Sequence, residues 1–267
     1  MKRKVDPSLY TRDYFERHCR GQDRLSDLEA GQLHEIFTRA VRAAALKGKE
    51  RVLDYGCGRG ELVYHCARTG CEVTGIDVSR AAIQMAQETI APLSRDLKQK
   101  IELRAASVEE LELVDRAYDV IFMIDVFEHL YDGELDILIP KFYRALKKDG
   151  RLIIQTPNLL YENVLYPAKR VLEFPFTLLK EMGRVLRRTG KRKSARQFFT
   201  KLFKFQFHDD PIYQELHINV QTPRSLKRRL LRYGFKSQIE CVDPSKNLLS
   251  LVFKRWAGRT IDAVGVK

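Results

Sequence analysis

Val52-Leu53-Asp54-Tyr55-Gly56-Cys57-Gly58-Arg59-Gly60 passes from a short apolar run into three glycines at alternate positions. Arg51-Val52-Leu53-Asp54 reads as a buried strand, and glycines directly after it let the backbone turn sharply and approach a ligand closely. A tight strand-to-helix turn would also select glycines, so the loop alone leaves both readings open. The third glycine follows the second by two residues rather than three, which separates the loop from the dinucleotide fingerprint G-x-G-x-x-G. The next strand, Val73-Thr74-Gly75-Ile76-Asp77, ends in a carboxylate. Such a group accepts both hydroxyls of a ribose, or serves as the acid at a helix N-terminus.

Outward from this loop, strands alternate with helices. Apolar residues from Leu25 to Leu46 fall at helical spacing. Glu61 to Thr69 reads as a helix stopped by Gly70, and Ser79 is a capping candidate for the next one. Further strands are expected at Ile101–Ala105, Asp119–Ile124 and Arg151–Thr156, with a helix ending near Leu146 between the last two. Thr222-Pro223 opens a helix to about Tyr233. Phe235–Val242 and Leu248–Trp256 then read as a terminal hairpin joined by the turn Asp243-Pro244-Ser245-Lys246-Asn247. This is the pattern of βαβ units, hence an α/β fold with a mostly parallel sheet, helices on both faces and a closing antiparallel pair.

The 267 residues carry 48 Lys+Arg against 35 Asp+Glu, a formal net charge of +13, and are 44% hydrophobic. That composition supports a sizeable core and excludes a disordered or fibrous chain. One domain is expected: a helical N-terminal cap over 1–48, a core over 49–158 and 215–267, and a helical basic insertion over 159–214. No run reaches the roughly 20 apolar residues of a membrane helix, and the basic start Met1-Lys2-Arg3-Lys4 leads into no apolar stretch of a secretory signal. Cys19, Cys57, Cys66, Cys71 and Cys241 are odd in number and form no CxxC pair. They exclude a disulfide scaffold or a zinc ribbon and fit a reducing cytosol.

Asp54-x-Gly56-Cys57-Gly58-x-Gly60, then Gly75-Ile76-Asp77, then Ile121-Phe122-Met123-Ile124-Asp125, taken in this order, resembles the class I S-adenosylmethionine-dependent methyltransferases. The likeness runs from about Arg51 to Trp256 without the basic segment. It implies a Rossmann-like seven-stranded sheet and S-adenosylmethionine as cofactor. It further implies that Asp54 and the loop residues Gly56, Cys57, Gly58 and Gly60 lie against the methionine part. By the same resemblance Asp77 takes the ribose, Val78 packs near the adenine, and Ser107-Val108 stand where the adenine amino group is contacted. The family often has Asp where this chain has Ser107. Tyr14 matches an N-terminal helix that closes over the cofactor, and Asp125 sits at the cofactor edge of the fourth strand.

Asp125-Val126-Phe127-Glu128-His129 lies just past the end of that strand, at the sheet edge where ligands of open α/β folds bind. Two carboxylates and an imidazole at this spacing suit a divalent ion such as Mg2+, or a general base with its orienting partner. They equally suit the hydrogen-bonding needs of a helix start. This run, with Gly150–Asn158, resembles the ubiquinone-biosynthesis O-methyltransferases more narrowly. That likeness implies Asp125, Glu128 and His129 as ligands of an ion, with Asp125 where the group commonly has Glu. Glu128, His129 and His217 are the catalytic candidates, since the small-RNA 3′-terminal 2′-O-methyltransferases, with a similar cluster, add a later histidine. The chain lacks the Asn-Pro-Pro-aromatic run of base N-methyltransferases after strand four and a Pro-Cys nucleophile there, so oxygen is the expected methyl acceptor.

Between Leu159 and Phe207 twelve Lys/Arg stand against three acids, Glu162, Glu173 and Glu181, a net charge of +9 in one segment. Leu178, Leu179, Met182, Val185 and Leu186 share a helix face, and Phe198, Phe199, Leu202, Phe203 and Phe207 follow with lysines between them. A basic amphipathic stretch with aromatics reads as a helix lying on an anionic membrane. The alternatives are a lid packed on the domain and a surface that tracks RNA phosphates. The expected function is therefore O-methylation of a membrane-associated or lipid-linked small molecule, a quinone precursor or glycan, by a cytoplasmic protein peripheral to the inner face of a membrane. RNA ribose 2′-O-methylation and methylation of a soluble small molecule are the alternatives.

Overall fold

The computed structural model describes residues 5–17, 28–168, 171, 172, 174–176, 178, 179, 215–242 and 258–267. After the short helix α1 (Arg12–Arg17) come α2 (Glu35–Ala44), β1 (Arg51–Tyr55), α3 (Glu61–Arg68), β2 (Glu72–Asp77), α4 (Arg80–Ile90), α5 (Arg95–Lys98) and β3 (Ile101–Ala105). Then follow β4 (Tyr118–Ile124), a 3-10 turn over Phe127–His129, α6 (Asp132–Ala145), β5 (Leu146–Pro157), α7 (Pro223–Arg232), β6 (Lys236–Val242) and β7 (Thr260–Val266). The seven strands form one sheet in the order β3-β2-β1-β4-β5-β7-β6. The first five are parallel, and β7 pairs antiparallel with both β5 and β6.

Continuous apolar runs in the central strands follow from burial on both faces. Leu53, Tyr55, Ile121 and Met123 point into a core with α6 and α7, where Leu135, Phe142, Leu226 and Phe235 are buried. Val52, Val73, Val120 and Phe122 point the other way, against α2 and α3. Ser79 caps α4 as its residue type suggests, accepting from the Ala82 N–H at 3.2 Å. Thr222 caps α7 with Pro223 at its first position, so this helix begins and ends close to expectation.

Two elements differ from expectation. The periodic run from Leu25 is broken, and α2 begins only at Glu35. Gly31 takes φ +79°, where its N–H closes a turn onto the Leu28 carbonyl. The second correction concerns the hairpin. β6 pairs antiparallel with β7, and the expected strand Leu248–Trp256 lies within residues 243–257, outside the described ones. Thr260-Ile261-Asp262-Ala263-Val264-Gly265-Val266, interrupted by Asp262 and Gly265, carries a weak apolar signal although it is inserted between two strands. Gly265 lies under the Phe235 ring, and Asp262 receives Arg39 of α2 at 2.8 Å. The 180–214 part of the basic run also lies outside the described residues.

The strand order reverses between β1 and β4. Ligands of open α/β sheets bind at such a point, beyond the carboxyl ends of the strands.

Candidate active site

A cavity of about 530 Å³ opens at that point. Its wall includes Tyr14, Asp54, Gly56, Cys57, Gly58, Asp77, Val78, Ser107, Val108, Asp125, Glu128, His129 and His217. Gly60 is the one sequence-derived cofactor residue not on this wall. It starts α3 at φ +82°, and a Cβ there would stand 2.8 Å from the Ala86 Cβ, so its glycine is required for helix packing.

The glycine loop is fixed from behind. The Gly56 and Cys57 N–H groups donate to the Ile76 carbonyl at 2.7 and 3.0 Å. Gly56 has φ +76°, and a Cβ on it would fall 2.2 Å from Val126 Cγ2, so only glycine fits. Asp77 is held by two backbone donors, Gly58 N–H at 3.0 Å and Ser79 N–H at 2.9 Å. Burial raises its pKa. Asp54 stands beside it, and burial reinforced by Asp77 and Glu61 pushes its carboxyl up to about 8. Acids crowded in a low-dielectric wall suit a cationic ligand, which would let them ionise. Ser107 donates its N–H and hydroxyl to Glu110, at 3.0 and 2.9 Å.

On the opposite side, Asp125 adopts φ +51° and donates its N–H to the Gln155 carbonyl, a turn that Asp tolerates. The chain then enters the 3-10 turn carrying Glu128 and His129. Glu128 is fully buried and accepts from the Thr156 hydroxyl at 2.9 Å. The segment ahead of α7 crosses these strand ends. Asn219 donates its N–H to the Glu128 carbonyl at 3.0 Å and its amide to the Leu130 carbonyl at 2.9 Å. That strap seats the His217 ring 4.8 Å from the His129 ring, edge to face. One ligand atom each from Glu128, His129 and His217 lie within 4.8 Å of one another. Asp125, expected in this group, lines the cavity outside it; His217 takes the third place. Burial pushes His129 down to about 4, and its Nδ1 has no hydrogen-bond partner among the described residues. A neutral imidazole with an orphaned buried nitrogen fits an ion ligand.

Sequence reasoning singled out Tyr14 and missed Tyr10. The Ser79 hydroxyl donates to the Tyr10 carbonyl at 2.6 Å, and the Tyr10 ring stands edge-on to His129 at 5.9 Å. Tyr14 packs against Tyr10 at 5.4 Å. No local signal distinguishes these tyrosines, because the anchor is 69 residues away.

A family model described as a methyltransferase domain matches residues 26–238. The chain belongs to this family. This methyltransferase is 31% identical over 140 residues to a ubiquinone biosynthesis O-methyltransferase of Bradyrhizobium diazoefficiens, covering 51% of this chain and 52% of that one. It is 35% identical over 135 residues to a protein of the same name from Alkalilimnicola ehrlichii, covering 49% and 52%. The chain thus spans about half the length of these curated relatives. A SAM dependent methyltransferase from Archaeoglobus fulgidus shares its fold, with a TM-score of 0.55, 20% identity and coverage of 91% and 98%.

The glycine cradle, the fixed Asp77 and the acidic wall at Asp54 fit S-adenosylmethionine, whose sulfonium is a cation. A measurable consequence is proton release. A carboxyl raised to about 8 is protonated in the ligand-free protein at neutral pH and ionises when a cation arrives. Apparent cofactor affinity therefore rises with pH up to about 8 and levels off above it. Without ligand, the sign is opposite: ionising Asp54 costs stability between pH about 4 and 8. Titration calorimetry at pH 7 in buffers of different ionisation enthalpy should register proton release; identical heats of binding in all buffers would show that Asp54 is already ionised.

Proposed function

We propose that this protein methylates an oxygen of a membrane-associated or lipid-linked small molecule, a quinone precursor being the best candidate. The observation that carries the reading is the Glu128–His129–His217 group facing the same cavity as the glycine loop. Bound S-adenosylmethionine supplies a methyl already activated by its sulfonium, so the protein has to align an acceptor and deal with its proton. A divalent ion held by Glu128, His129 and His217 would supply positive charge that favours the ionised form of an acceptor hydroxyl. Thr156 holds the Glu128 carboxylate in place, and the Asn219 strap holds His217. Tyr10 and Tyr14 line the cavity. A pKa of about 4 makes His129 a weak base but keeps it neutral at physiological pH, which supports the ligand role. The names of the relatives, ubiquinone biosynthesis O-methyltransferases, support oxygen as acceptor and a quinone precursor as its source. Incubating membrane lipid extracts with the protein and methyl-labelled S-adenosylmethionine, followed by mass spectrometry, tests this; label found only in RNA would replace the reading with ribose methylation.

The approach to the membrane rests on residues 159–207. Val164, Val171, Leu172, Phe176 and Leu179 are each more than half exposed, Phe176 by 75%. Apolar side chains in that number, beside a sequence segment of net charge +9, suit an anionic bilayer. No helix among the described residues is long and apolar enough to cross a membrane. Changing Arg187, Arg188, Lys191, Arg192 and Lys193 together to Glu should release the protein from phosphatidylglycerol vesicles in flotation while cofactor affinity is kept. Wild-type protein that floats with neutral and anionic vesicles alike would sink the electrostatic part of this reading.

A further inference from the structure

We infer that Arg259 selects an acceptor that bears a negatively charged group, a carboxylate or a phosphate, on the same molecule as the hydroxyl to be methylated. The inference rests on the O-methylation reading above and deepens it. Arg259 lines the same cavity as His129 and His217, and its guanidinium Nε is buried.

Its position is built into the sheet. The buried Asn158, at the end of β5, donates its N–H to the Arg259 carbonyl at 3.1 Å and its side-chain amide to the Gly258 carbonyl at 2.8 Å. A Cβ at Gly258 would stand 2.2 Å from the Val242 nitrogen, so the chain entering β7 is pressed against β6. One residue later Thr260 is in register with Pro157, itself on the cavity wall. Arg259 is thus delivered to the strand end two residues beyond Thr156, the residue that holds Glu128.

Asp54, Asp77 and Glu61 line the wall at the glycine loop, where Arg59 is paired with Glu61 and Arg17 with Asp13, whereas Arg259 stands at the far strand end. Guanidinium presents a planar fork of donors that matches the two oxygens of a carboxylate or phosphate. Because Glu128 faces the same space, the acceptor's negative group must lie on the Arg259 side.

The test is a calorimetric titration of the full chain saturated with S-adenosylhomocysteine, using catechol, 3,4-dihydroxybenzoate and 3,4-dihydroxyphenyl phosphate as probes. The wild-type protein should bind one of the charged probes at least about tenfold tighter than catechol, and which one it is tells carboxylate from phosphate. Arg259→Gln should abolish that preference and leave catechol and S-adenosylhomocysteine affinities unchanged, while Arg259→Lys keeps part of it. Equal affinity for all three probes, or a preference that survives in Arg259→Gln, overturns the inference. Methyl transfer to neutral catechol without charge preference would overturn the Arg259 role and leave O-methylation standing. A charge preference in binding, lost in Arg259→Gln, without methyl transfer to any oxygen would do the reverse.

Discussion

His129→Ala lowers turnover by about 10²- to 10⁴-fold while the dissociation constant for S-adenosylmethionine stays within about twofold. The split follows from position: His129 belongs to the group proposed for the acceptor end, whereas the residues proposed to hold the cofactor are the glycine loop and Asp77 on the same cavity wall. Glu128→Gln is the matching variant, since it keeps the shape and the hydrogen bond from Thr156 but removes the charge. Glu128→Ala would strand a buried Thr156 hydroxyl at a cost of about 1–3 kcal/mol, mixing stability into the result. His217→Ala should behave like His129→Ala, because the three groups act on one centre. If that centre is an ion, a chelator should abolish turnover and a divalent metal restore it. Full activity in chelator, with His129→Ala still inactive, would leave a proton-transfer role for the imidazole and remove the ion.

The second large effect is on cofactor affinity. Asp77→Ala should weaken S-adenosylmethionine binding by about 1–3 kcal/mol, roughly 5- to 150-fold, because a charged acceptor for two hydroxyls is lost. The same carboxylate fixes the Gly58 and Ser79 N–H groups, so part of the loss comes through a loosened loop. Asp77→Asn separates the two parts: it can accept one of those backbone N–H groups and retains the shape, and an affinity close to wild type would assign most of the effect to loop geometry. Calorimetric affinity of Asp77→Ala within twofold of wild type would remove Asp77 from the cofactor site altogether. Gly56→Ala should be harsher on folding, because its new Cβ meets Val126 at 2.2 Å in a backbone conformation that alanine resists.

Both sites draw unequally on what a linear chain displays. The proposed cofactor side is legible because it is local. Glycines at 56, 58 and 60, an acid closing β2 and alternating apolar runs are contiguous in sequence and obey the periods of strand and helix. Asp54 and Asp77 then meet because β1 and β2 are neighbours in parallel register, Asp54 opposite Gly75. The acceptor side was legible only in part. Glu128 and His129 stand in one turn, but nothing in the spacing from 129 to 217 states that the two imidazoles touch.

The sequence by itself determined the α/β class, the glycine cradle and Asp77, since turn chemistry and hydrophobic period are properties of neighbouring residues. Tertiary structure decided the rest. It brought His217 beside Glu128 and His129, with Asn219 hydrogen-bonded to the Glu128 and Leu130 carbonyls. It placed Tyr10 over His129 through Ser79, and threaded Thr260–Val266 between β5 and β6, so that Arg259 reaches the cavity. Each of these contacts joins residues 69 or more apart in the chain, or slots a strand whose small side chains make sense only between two neighbours. Local propensity cannot encode them, because the free energy that holds them comes from hydrogen bonds and packing formed only once the sheet is assembled.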